Sequence, residues 1–264
     1  MKITALVENT SSCELESAHG LALYIETARH KLLFDLGPDD TLFVNARMRD
    51  IDLSKVDTVI ISHGHSDHGG ALERFFTVNH TAKVYVQETA FEEHHSVNNG
   101  VCNDRSLLPE LRHHPQVMLL NGDFKIDEEL QLFQVKDRSQ CYSPANDNLY
   151  HGDQKDDFRH EQHLIIQGHR PVLIMGCGHT GVVNIMKEAE KYQPVACIGG
   201  YHLMKPKTGK TVPTELLDQI AERLNRYQNT EFYTCHCTGV AAYEYLAKRV
   251  RRLHYLSCGD SIEF

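Results

Sequence analysis

The segment Ser62-His63-Gly64-His65-Ser66-Asp67-His68-Gly69-Gly70 decides how the rest of the chain is read. Three histidines and one aspartate fall within six positions, directly after Val59-Ile60-Ile61, an apolar run that predicts a buried strand. In an extended chain alternate side chains share a face, so His63 and His65 point the same way. The chain then turns, and Asp67 and His68 offer a second group of donors beside the first. Neutral imidazole and carboxylate are the usual ligands of a catalytic divalent ion that keeps one position open for water. Four donors this close are too many for one such ion unless the rest of the chain adds almost nothing, so the spacing predicts two adjacent metals. Asp67 also suits the N-cap of a following helix. The plainer alternative, a Gly- and Ser-rich turn that happens to hold several histidines, is disfavoured by the H-x-H-x-D-H spacing at a strand end.

Outward from this segment, strand-like runs occur near residues 2–7, 21–26, 31–35, 57–62 and 83–87. They recur near 117–120, 131–135, 163–167, 171–175, 195–199, 231–234 and 253–256. Val182, Ile185, Met186 and Ala189 follow the spacing of an amphipathic helix, as do Leu216, Leu217, Ile220, Ala221 and Leu224 after Pro213. A third helix is predicted after His236, with Ala241, Ala242, Tyr245 and Leu246 facing inward. Strands, a helix, more strands, then strands alternating with helices suggest two sheets packed together and covered by helices. The 264 residues and 41% apolar content suit one α/β domain with a sizeable core. The polar, weakly periodic stretch from about 87 to 157 reads as a lid or substrate-binding insertion.

The net charge of −9 argues against a nucleic-acid binder, which normally shows a basic face. A small anionic or phosphorylated substrate stays compatible with it, because bound ions reverse the local field. No apolar run is long enough for a bilayer, and the N-terminus alternates like a strand and has no signal-peptide pattern. Eight scattered cysteines in a well-patterned chain fit a reducing cytoplasm better than a disulfide scaffold.

The motif segment resembles the metal-binding signature of the metallo-β-lactamase superfamily. The resemblance extends through His19–Glu26 (HGLALYIE), Lys31–Pro38 (KLLFDLGP), Asn45, the run GCGHTGVVNIM from Gly176, IGGYHL from Ile198 and HCTG from His236. This ordered set is similar to the branch of metal-dependent hydrolases related to the dihydropterin–ribofuranosylaminobenzene phosphate synthase. It implies an αββα four-layer sandwich with two divalent ions at one edge. Zinc is the first expectation, with iron, manganese or nickel as alternatives.

The resemblance places His63, His65, Asp67 and His68 among the ligands and adds His179 and His236, each near the end of an apolar strand. Cys177 stands where many relatives carry a bridging aspartate. Either its thiolate bridges two ions or its thiol packs as a small hydrophobe. Cys235 and Cys237 flank His236, and strand alternation would send neighbouring side chains to opposite faces, with one or both cysteines in the core. His202, after Gly199-Gly200-Tyr201, reads as a substrate-contacting or proton-donating group, with a structural histidine as the alternative. His160 and His163 are reserve ligands. Asp35 would orient a ligand imidazole. Glu8 and Asn9 occupy a comparable strand end, where turn capping is the plainer role. Lys136 and Arg138 could meet a phosphate, although solvated surface charge is commoner.

A bound divalent ion lowers the pKa of water to about 7, and two ions about 3.5–4 Å apart stabilise attacking and leaving oxygens. The expected activity is therefore hydrolysis of an ester or phosphodiester-type bond of a small molecule, with Asp67 and His202 next to the reacting atoms. Two alternatives stay open: a pterin-dependent transferase, and a non-hydrolytic redox or metal-sensing protein.

Overall fold

The apolar runs become strands in a computed structural model that describes residues 1–264. They build two seven-stranded sheets, each within its own compact unit. The first unit comprises Met1–Gly122, Leu149–His160 and Ser257–Phe264; the second comprises Asp123–Asn148 and Glu161–Leu256.

In the first unit, Ser261–Glu263, Lys2–Val7, Ala22–Glu26 and Lys31–Phe34 run antiparallel in that order. From Lys31–Phe34 onward, Thr58–Ile60, Lys83–Gln87 and Val117–Leu120 are parallel. Central strands are buried almost throughout, which is why they read as continuous apolar runs rather than as alternation. The helices Thr41–Met48 and Leu72–Val78 cover one face. Leu42, Ala46, Leu72 and Phe75 from these helices join Leu6, Leu33, Val59 and Val84 from the sheet in one apolar core.

In the second unit, Leu253–Tyr255, Glu231–Thr234, Ala196–Gly199 and Val172–Ile174 are parallel neighbours. Antiparallel strands His163–Ile166, Leu130–Phe133 and Phe124–Lys125 complete that sheet. Helices Val182–Ala189, Thr214–Leu224 and Val240–Ala247 pack on it through Ile185, Met186, Leu217, Ile220 and Leu246. One helix-face expectation is corrected: Ala241 is exposed, and Ala242 and Leu246 carry the burial.

The 87–157 region divides between the units. It contributes a four-stranded antiparallel sheet to the first, ordered Gln154–Lys155, Leu149–His151, His94–Asn98 and Val101–Asp104. No helix is long and apolar enough to cross a membrane.

In both large sheets several parallel strands end side by side, and the loops leaving their C-terminal ends carry the polar residues singled out in the sequence. That edge is where open α/β sheets place ligands.

Candidate metal-binding clusters

In the first unit the parallel strands Lys31–Phe34 and Thr58–Ile60 deliver Asp35 and Ser62 to the same place. Asp35 is fully buried and sits in the left-handed region at φ 61°, an uncommon conformation for a non-glycine residue. Its carboxylate accepts the Ser62 amide and the Ser62 hydroxyl, both at 2.7 Å, and His68 Nδ1–H at 2.6 Å. With its hydroxyl proton committed to Asp35, Ser62 Oγ accepts from His63 Nδ1–H at 2.8 Å. One carboxylate therefore fixes the tautomer of two histidines, leaving Nε2 of each as the nitrogen that bears the electron pair. The His63 ring centroid lies 4.6 Å from that of His65 and 4.2 Å from that of His68. Burial, followed by the neighbouring imidazoles, holds His63 and His65 well below the ordinary histidine range, in the neutral form that binds metal.

Asp67 lies in the first turn of the short helix Ser66–Gly69, whose N-cap is His65, so capping is not its role. Its carboxylate stands 3.9 Å from His68 Nε2 and 3.5 Å from His19 Nε2. The motif thus brings His63, His65, Asp67 and His68 together as donors. We expect Asp35→Asn to weaken metal binding by about 10–100-fold, the usual cost of losing an outer partner. Competition with a chelator measures this, and an unchanged affinity contradicts it.

Behind the motif lies a buried group that the sequence reading did not assemble. His160, held in reserve as a ligand, accepts the Gly64 amide on Nδ1 at 2.9 Å and so donates from Nε2 to Asp156 at 3.1 Å. His94 meets the same carboxylate through Nδ1 at 3.2 Å and the Thr89 carbonyl through Nε2 at 3.1 Å. Burial raises the Asp156 carboxyl, but its hydrogen bonds with His160 and His94 carry it well below the usual carboxylate range. His65, His94, Asp156 and His160 offer ligand atoms within 4.8 Å of one another. His160, however, has both nitrogens engaged by Gly64 and Asp156, so the group serves to seat the turn between His63 and His65. A side chain at Gly64 would come within 2.8 Å of the His94 ring.

In the second unit, three parallel strands open into Cys177–His179, Tyr201–His202 and His236–Cys237. Glu161, 1% exposed, braces the first of these loops. It accepts the His179 amide at 2.7 Å, the Thr180 amide at 2.8 Å and the Thr180 hydroxyl at 2.6 Å. Asn146 Oδ1 accepts from His179 Nδ1–H at 2.9 Å and its amide donates to the His179 carbonyl at 3.0 Å, so His179 presents Nε2. Cys177, His179 and His202 place ligand atoms within 4.8 Å of one another, as do Cys177, His236 and Cys237.

His163, the other reserve, packs its ring on Phe133 with Nε2 3.5 Å from the Thr180 hydroxyl, and burial lowers it to about 4. It supports the turn from below.

His202 is buried in the left-handed region at φ 48°, its ring centroid 4.1 Å from that of His179, and neither ring nitrogen has a hydrogen-bond partner. The strand Glu231–Thr234 stops before His236, which adopts φ 50° inside a tight turn. Strand alternation therefore does not govern the flanking cysteines, although burial of one or both was expected and both are buried. Cys237 turns toward Cys177, donating from Sγ to its carbonyl at 3.3 Å. Burial raises the Cys237 thiol, yet Cys177, His236 and His202 carry it well below the ordinary thiol range.

Comparison with known proteins identifies the family and the fold. The profile of the metallo-beta-lactamase superfamily matches residues 18–186. Two proteins of Methanocaldococcus jannaschii are similar along most of their length. One, the uncharacterized protein MJ0448, is 26% identical over 91% of each chain. The other, 7,8-dihydropterin-6-methyl-4-(β-D-ribofuranosyl)-aminobenzene-5'-phosphate synthase, is 25% identical over 86% of this chain and 83% of its own. Among solved structures, Tm1679, a metal-dependent hydrolase of the beta-lactamase superfamily, superposes with a TM-score of 0.84 at 23% identity, covering 100% of this chain and 99% of that one. That likeness shows the metallo-β-lactamase fold expected from the sequence.

Proposed function

Because the chain belongs to the metallo-β-lactamase superfamily, we propose that it is a metal-dependent hydrolase that cleaves an ester or phosphodiester-type bond of a small, anionic molecule. The observation that carries this reading is the tautomer control by Asp35 and Ser62, which turns Nε2 of His63 and of His68 into donors. Such outer-shell hydrogen bonding is what ligand histidines need and what core histidines have no reason to share. The donors fit two divalent ions, zinc first: His63, His65, Asp67 and His68 in the first unit, and Cys177, His179 and His236 in the second.

When bound, the ions supply hydroxide at neutral pH and stabilise charge on the oxygens that attack and leave. The chain's own residues do the rest. Asp67 orients the attacking water and accepts its proton. His202, buried and with neither ring nitrogen hydrogen-bonded, contacts the substrate or returns a proton to the leaving group. Substrate choice resides in the 87–157 region. The cytoplasm, where the eight free cysteines stay reduced, is the compartment that fits.

A second reading is carried by the synthase relative: a transferase in which the ions activate a pyrophosphate leaving group for an aromatic amine. The purified protein is assayed with and without a chelator on an activated phosphodiester, and separately with a pterin pyrophosphate plus an arylamine. Chelator-sensitive turnover of the phosphodiester supports the hydrolase. Product formed only when both transferase substrates are present replaces it with the transferase.

A further inference from the structure

The left-handed turn at His236 has a chemical consequence. By breaking the alternation of the strand it gives two adjacent residues, His236 and Cys237, ligand atoms within 4.8 Å of Cys177 Sγ and of each other. We propose that Cys177, His236 and Cys237 form a thiolate-rich site for a thiophilic divalent ion, with Cys237 as a sulfur ligand. The proposal rests on reading the second unit's cluster as metal-binding, and it adds a donor to that cluster.

The surroundings are built for it. Gly200 lies so close that a Cβ there would come within 2.5 Å of Cys237 Sγ, so the glycine leaves the space the sulfur occupies. The turn that carries Cys237 is tied to the neighbouring loop by Leu203 N–H to the Cys237 carbonyl at 3.0 Å and Tyr201 N–H to Thr238 Oγ1 at 2.8 Å. His202, 5% exposed and with no hydrogen-bond partner on either ring nitrogen, shares a candidate group with Cys177.

Donors around a tetrahedral zinc at about 2.0–2.3 Å lie roughly 3.3–3.8 Å from one another. Small side-chain rotations bring a group already within 4.8 Å to that spacing. Two sulfurs and an imidazole select zinc or another soft ion over magnesium or manganese. On binding, the two thiols lose their protons to solvent, so the affinity rises with pH.

Cobalt(II) loaded into the full-length, metal-stripped protein tests the assignment. The parent is expected to show an intense thiolate-to-cobalt charge-transfer band. Cys237→Ser and Cys237→Ala should each lower it by about half, and the double replacement of Cys177 and Cys237 by Ser should remove it. A full band in both Cys237 variants overturns the role of Cys237 while leaving the cluster as a metal site. Cobalt bound by the parent without any thiolate band overturns the sulfur site but spares the histidine donors. Failure of the parent to bind cobalt at all overturns the metal reading itself. X-ray absorption on the zinc-loaded parent, which needs no variant, should find more than one sulfur per chain at about 2.3 Å; one sulfur or none contradicts the proposal.

Discussion

Asp67→Ala and His68→Ala are each expected to abolish metal-dependent turnover while leaving the chain folded. Neither side chain belongs to the apolar core of its unit. Removal of His68 takes one donor from Asp35, which keeps both bonds from Ser62, so the stability cost should stay near 1–3 kcal/mol, roughly that of one buried polar group left short of a partner. Removal of Asp67, whose side chain is 14% exposed, should cost less still. Turnover and melting temperature measured on the same preparations separate the two effects. Near-parental turnover in either variant contradicts the donor assignment.

Glu161→Leu is expected to damage both stability and metal binding. The carboxylate accepts two backbone amides and a hydroxyl in a fully dry setting. The hydroxyl can turn to another acceptor, but the amides of His179 and Thr180 cannot, and each orphaned amide costs about 1–3 kcal/mol. Relief from desolvating a buried charge offsets part of this, leaving a net loss on the order of 3 kcal/mol. The loop then loses its anchor, and His179 and Cys177 lose their placement. Chemical denaturation and metal titration check the two halves of the prediction. A variant as stable as the parent, with undiminished affinity, would show that Glu161 does not brace the loop.

Much of the architecture was legible because it is local. Every strand of four residues or more in the two large sheets coincides with an apolar run, and the motif histidines lie within one short segment. What escaped the sequence reading depends on contacts between distant segments or on single backbone torsions. His94, Asp156 and His160 come from two stretches about the motif with no shared period, and only the fold gathers them behind Gly64. Asn146 looked like part of a polar loop, and its partner His179 is 33 residues away. The strands His94–Asn98 and Val101–Asp104 are rich in polar residues, and apolar and polar residue types do not alternate along them. Cys235 and Cys237 are both buried, within the expectation of one or both in the core, but the left-handed His236 and not strand alternation sets the direction of Cys237. His202 was noticed for its neighbours Gly199-Gly200, whereas the burial of its ring with neither nitrogen hydrogen-bonded is visible only in three dimensions.

The central claim is that the two clusters of donors hold divalent ions. Elemental analysis of the protein after gentle purification tests it most directly, run beside His63→Ala and His179→Ala. More than one equivalent of divalent metal per chain is expected in the parent, zinc foremost, with a clear loss in each variant. A parent that holds one equivalent or less, unchanged on addition of zinc or manganese, would contradict a second site. Full occupancy in His179→Ala would remove that residue from the ligands.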